Sequence, residues 1–195
     1  MVPPNSAPGD ARLGPTLLAL ARNAIARELG QPEQPEPRPP ERPARLAQPG
    51  ATFVTLTRQG QLRGCIGSLE AYRPLAEDVA ANARAAAFRD PRFDPVDATE
   101  YPDIALEVSL LSATEPFPVR DEGDALARLR PGEDGLVFIF QGRRATFLPQ
   151  VWESLPDPEA FLTQLKRKAG LPGDFWDPEV HLERYRVQHW QDSQS

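Results

Sequence analysis

Apolar residues recur at helical spacing from Leu13 to Leu29, with Leu17, Leu18, Ala21, Ile25 and Leu29 near one side and Gly30 as a stop. Residues Gln31 to Gly50 then hold seven prolines, a composition that predicts an extended surface loop or linker, or else a polyproline docking segment. Thr52 to Thr57 is β-branched and aromatic and predicts a strand. Arg58, Gln59 and Gly60 turn the chain, and Leu62 to Ser68 returns as the second strand of a hairpin. A helix follows from Pro74 to Phe88 with Leu75, Val79, Ala83, Ala86 and Ala87 on its buried stripe. So many alanines on one side imply close approach to another backbone element. Asp90-Pro91 breaks the helix.

Ile104 to Leu111 alternates strictly and predicts a strand with a buried face. A proline-punctuated loop covers Glu115 to Asp121, and Asp124 to Arg130 reads as a short helix. Leu136 to Phe140 is wholly apolar, as expected of a central strand, and a turn at Gln141 to Arg144 pairs it with Ala145 to Leu148. Pro158 to Ala169 is a helix with Phe161, Leu162 and Leu165 inward, and Gly170 ends it. Val180 to Trp190 predicts one last strand. This order gives an α+β class, a single domain over residues 12–191 with a mixed or antiparallel sheet, and the length allows either one core or a split into two lobes. Residues 1–11, rich in Pro, Ser and Gly, are expected to be a disordered tail.

Composition narrows the possible roles. The 195 residues carry a net charge of −6 with a pI near 5.1, which argues against nucleic acid as the partner. No apolar run approaches the ~20 residues of a membrane helix, and the first residues lack a secretory pattern, so a cytoplasmic location is expected. A single cysteine excludes a disulfide within the chain and any all-cysteine metal site.

That cysteine, Cys65, sits in the run LRGCIGSLE at residues 62–70. Arg63 lies two residues away, on the same strand face by period-two alternation, where a cation favours the thiolate. Gly64 and Gly67 mark a bend or a close approach. Cys65 is therefore a candidate nucleophile or redox thiol, or a packed core cysteine. Glu107 interrupts an apolar strand. It can pair with Arg63, serve as a general acid or base near Cys65, or lie on a solvent face. Arg92 and Arg144, together with Arg89 and Asp90, form a set that suits an anionic ligand or a structural clamp, with the clamp preferred for Asp90. His181 and His189 show no metal-ligand spacing and read as surface aromatics. Nothing resembles a phosphate loop, a serine triad or a dinucleotide fingerprint, so no cofactor is expected.

LRGCIGSLE, AAFRDPRF at 86–93, EVSLL at 107–111, GLVF at 135–138, FLPQVW at 147–152 and KAGL at 168–171 occur in one order. Together they resemble the AMMECR domain family, which includes protein A of the AmmeMemoRadiSam system. The resemblance spans Leu13 to Trp190. It implies unequal lobes with the RGCIG segment facing a cleft, lined by Gly64, Ile66, Gly67, Arg92 and Arg144. It also implies partners, namely a Memo-like protein and a radical S-adenosylmethionine protein, but supplies no settled activity; the leading expectation, drawn from the residues, is an enzyme or enzyme subunit centred on Cys65. The alternative is a non-catalytic module that binds a small ligand or a protein. Two departures stand out. Lys166 replaces a second cysteine common in the family, which excludes a dithiol mechanism within the chain, and Ala145 replaces the usual glycine after Arg144.

Overall fold

A computed structural model describes residues 11–38 and 41–192. The expected tail lies outside the described residues except for Ala11. The α+β class holds. The chain divides into two compact units, one up to Leu111 and again from Gln188, the other from Ser112 to Val187.

In the first unit, α1 (Leu13–Leu29) ends where predicted, with Gly30 in the left-handed region at φ 64°. The proline-rich segment returns along this helix. Asn23, almost fully buried, donates to the Gln34 carbonyl and to Glu36 and accepts from the Gln34 amide. β1 (Ala51–Arg58) and β2 (Gln61–Gly67) form the expected hairpin. Its two-residue turn, Gln59-Gly60, has both φ angles positive, as the twist of a tight hairpin demands. Next come α2 (Leu75–Phe88) and β3 (Ile104–Leu111). The sheet runs β2-β1-β3-β8, where β8 is Val187–Gln191. One face of it carries Val54, Leu56, Leu106, Val108 and Leu110, which share a buried core with α1 and α2.

The second unit holds β4 (Glu115–Pro116), α3 (Glu122–Arg128), β5 (Gly135–Phe140), β6 (Arg143–Phe147), α4 (Pro158–Lys168) and β7 (His181–Tyr185). Its sheet order is β4-β7-β5-β6, so the all-apolar β5 is internal, as its composition implies. The core gathers Phe117, Leu136, Phe138, Phe161, Leu162 and Leu165 around Trp152, which stacks on Phe161 at 3.7 Å. The one predicted strand from Val180 to Trp190 is two strands. They part at Arg186, and each joins a different sheet.

Lys166 is fully buried on α4, and its ammonium pairs with Glu122 of α3. Removal of the two partners is expected to be unequal. Glu122→Ala strands a buried ammonium and costs about 2 kcal/mol, since the Glu122 side chain is itself a third exposed. Lys166→Met removes the charge, refills the volume and costs less than about 1 kcal/mol. Urea unfolding of both variants checks the order; equal losses would contradict it.

Candidate functional site

β2 is an edge strand, and its outer backbone groups need partners. The turn that ends α2 supplies them at Cys65. Asp90 accepts the Cys65 amide at 2.9 Å, and Arg92 reaches the Cys65 carbonyl at 3.4 Å. Arg92 also grips Asp90 through Nε at 2.9 Å and Nη2 at 2.6 Å. The Arg92 guanidinium holds the Asp90 carboxyl well below the usual carboxylate range; burial opposes this, and the Cys65 and Arg92 amides reinforce it. Asp90 is thus the clamp anticipated for it, and Arg92 is part of the same clamp.

The sign of the pH effect follows. A carboxyl depressed in the folded state stabilises above its unfolded pKa, near 3.8, and that stability is lost as pH falls below it. The stability gap between wild type and Asp90→Asn is therefore expected to be constant at neutral pH and to narrow below about pH 4. Chemical denaturation across that range reads it; a gap that widens on acidification would contradict the clamp.

Because the Cys65 amide points outward, Cys65 and Thr55 form a non-hydrogen-bonded cross-strand pair, the closer of the two antiparallel spacings. Their side chains touch, with Cys65 Sγ 3.3 Å from Thr55 Oγ1. Thr55 also faces Glu107 on β3. Cys65, Thr55 and Glu107 therefore form one row across three strands, on the face opposite the apolar core. Two strand spacings, about 9.5 Å, separate Cys65 from Glu107. A base must come within about 3 Å of the proton it takes, or act through one water. Glu107 instead lies 3.8 Å from His189 Nδ1, and Ser109 Oγ is 2.9 Å from the same nitrogen. His189, read from sequence as a surface aromatic, shares the polar row's neighbourhood through Glu107.

Arg63 does not follow the expected alternation. The β1–β2 register slips between Leu56, opposite Gly64, and Thr57, opposite Leu62, which leaves Arg63 as the extra residue of a bulge. Its guanidinium pairs with Glu100 at 2.6 and 3.1 Å rather than with Glu107. That hydrogen bond holds the Glu100 carboxyl below its usual range, against the effect of burial. The Phe93 ring lies 5.9 Å from Arg63 and 5.4 Å from Arg92.

Gly64 and Ile66 are on the helix-packed face, opposite Cys65. Ile66 packs against the first core, and a Cβ on Gly64 would fall 2.2 Å from the Ala86 carbonyl oxygen. Gly67 is on the Cys65 side, pressed by the Phe53 ring. Arg144 is on β6, in the other sheet, 4.0 Å from Glu183.

A second polar cluster holds the end of the LRGCIGS run. Asp78 on α2 is fully buried and accepts from the Thr52 amide and hydroxyl, the Ser68 hydroxyl, Arg73 and Asn82. Asn82 also donates to the Thr52 carbonyl at 2.9 Å. Among the described residues, no group of three or more His, Cys, Asp or Glu side chains is arranged to hold a metal ion, and no helix is long and apolar enough to cross a membrane.

The AMMECR1 family pattern matches residues 18–190. A protein from Methanothermobacter thermautotrophicus is 40% identical over 181 residues, which cover 90% of this chain and 92% of that protein. One from Saccharolobus islandicus strain L.S.2.15 is 40% identical over 148 residues, 72% of this chain and 65% of that protein. The crystal structure of an uncharacterized protein from Pyrococcus horikoshii matches with a TM-score of 0.74 and 33% identity, over 92% of this chain and 91% of its own. With a matching pattern over most of its length and a relative this similar across nearly the whole chain, the protein belongs to the AMMECR1 family.

Proposed function

We propose that the protein is an enzyme subunit whose polar sheet face, centred on Cys65, receives a small ligand, and that it works with a Memo-like protein and a radical S-adenosylmethionine protein. The carrying observation is the cross-strand row: Cys65, Thr55 and Glu107 share one face and none is fully buried, although the opposite face of the same strands is a closed apolar core. Half-exposed ionisable groups gathered on one face are a binding arrangement; scattered core polars are not. In this reading Cys65 contacts the ligand and Glu107 supplies negative charge at the other end of the row. Arg63 supports the strand from outside through Glu100.

A second reading, a non-catalytic module for a ligand or a protein, has its own support. Arg63 and Arg92 are each paired with a carboxylate, Glu100 and Asp90. The side-chain partner of the thiol is the neutral Thr55 hydroxyl.

The test uses the full chain with both partners. Binding of the Memo-like protein is measured by calorimetry, and S-adenosylmethionine turnover by the radical protein is followed with wild type and with Cys65→Ser. An enzyme subunit keeps binding and loses turnover in the variant. Turnover that is unchanged by the substitution favours the module reading, and absence of binding to either partner contradicts the proposed association.

A further inference from the structure

Ser109 and Glu107 stand two residues apart on β3, on the same face, and both approach one nitrogen of His189 on β8, at 2.9 and 3.8 Å. Ser109 is buried, whereas the His189 side chain is 54% exposed. The ring is therefore held at Nδ1 from the sheet side, while more than half of the side chain remains exposed. Glu107, at 3.8 Å beyond hydrogen-bond reach, acts on the ring only through its charge, which favours the tautomer with the proton on the near nitrogen, Nδ1. Ser109 Oγ can accept the same proton. That tautomer leaves a free lone pair on Nε2, the form in which imidazole can take a proton.

We propose that His189 is a proton-accepting residue of this polar face, with Glu107 and Ser109 as its positioning residues; the assignment rests on the reading of that face as a ligand surface. The ligand class is a small molecule with an acidic O–H or N–H. The Nε2–H bond forms as the ligand's O–H or N–H bond breaks, and the bonding electron pair stays on the ligand oxygen or nitrogen. The imidazolium charge that results is offset by Glu107. No oxidant, reductant or metal enters the step. Glu107 thereby acquires a definite role, since it lies too far across the sheet to serve Cys65 directly.

Diethyl pyrocarbonate tests this without knowledge of the ligand. Neutral Nε2 attacks a carbonyl carbon of the reagent, an N–C bond forms, a C–O bond breaks and ethyl carbonate leaves. The chain has two histidines, so His181 is an internal reference. At pH 7 His189 is expected to react several-fold faster than His181 and than N-acetylhistidine, as read by peptide mass spectrometry. Glu107→Gln brings it down to the free rate, and Ser109→Ala slows it less. A His189 rate no higher than N-acetylhistidine, or unchanged in Glu107→Gln, overturns the assignment. Long-range proton–nitrogen correlation is the second readout: an Nδ1-protonated ring supports it, and an Nε2-protonated ring overturns it. The chemistry does not pass through Cys65. Slow acylation of His189 with intact native alkylation of Cys65 therefore removes this proposal alone, whereas failure of native alkylation removes the ligand-surface reading beneath it.

Discussion

Asp78→Ala is expected to cost about 3–5 kcal/mol, a large share of the stability of a domain this size. The carboxylate is fully buried and accepts from the Thr52 amide and hydroxyl, Ser68, Arg73 and Asn82. Its loss leaves the buried Thr52 amide and hydroxyl without their acceptor and Arg73 without its counter-charge, while Asn82 keeps the Thr52 carbonyl, and unmade buried hydrogen bonds cost more than made ones contribute. A second consequence distinguishes this network from an ordinary core contact. Ser68 directly follows β2, and Asp78 ties it to α2, so the variant is expected to loosen the strand that carries Cys65. Urea denaturation reads the stability, and the rate of Cys65 alkylation reads the loosening. A loss under about 1 kcal/mol would mean that the network is dispensable.

Gly64→Ala is expected to cost upward of about 3 kcal/mol, more than most overpacking substitutions. The added methyl would lie 2.2 Å from the backbone oxygen of Ala86, a separation that real Cβ atoms essentially never show. A side chain could rotate away, but a helix carbonyl cannot, so α2 must retreat from β2. The small stripe of α2, with Ala83, Ala86 and Ala87 buried, is what allows the approach in the first place. The mutation acts on the helix face of the strand and leaves Cys65, on the other face, chemically untouched. A variant with normal thermal stability would contradict the close packing.

Both predictions concern the segment that stands out most in the sequence, and they show what in it was legible. The hairpin, the turn at Gln59-Gly60 and the alanine-rich helix are local and follow from composition and period. The close approach implied by the alanines is realised at Gly64. The buried carboxylate was readable in principle: Asp78 and Asn82 fall three and seven residues after Leu75, on the apolar stripe itself, and a polar residue there must find partners. Other features depend on pairing between distant segments, which no local pattern carries. The bulge at Arg63 depends on the register against β1, and it sends the guanidinium to Glu100 rather than toward Glu107. The alternation through Tyr185 and Val187 reads as one strand because nothing local reveals that its halves join different sheets. His189 has no motif of its own and becomes a candidate only when β8 is set beside β3.

For the site, the surroundings of Cys65 differ from the sequence expectation that Arg63 stands beside the thiol on the same strand face. Asp90 and Arg92 hold the backbone of Cys65, Thr55 faces its sulfur, and the nearby cations are balanced. These contacts fix the backbone of the Cys65 strand, and the other ionisable groups of that face, Glu107 and His189, stand across the sheet from it.

Alkylation of Cys65 in the native protein at neutral pH, compared with a free thiol and with the unfolded chain, addresses the central claim that Cys65 is presented on a ligand-facing surface. The account predicts labelling of the folded protein without prior unfolding. Labelling that occurs only after unfolding would contradict it, because Cys65 would then be a packed core residue and the polar row no surface at all.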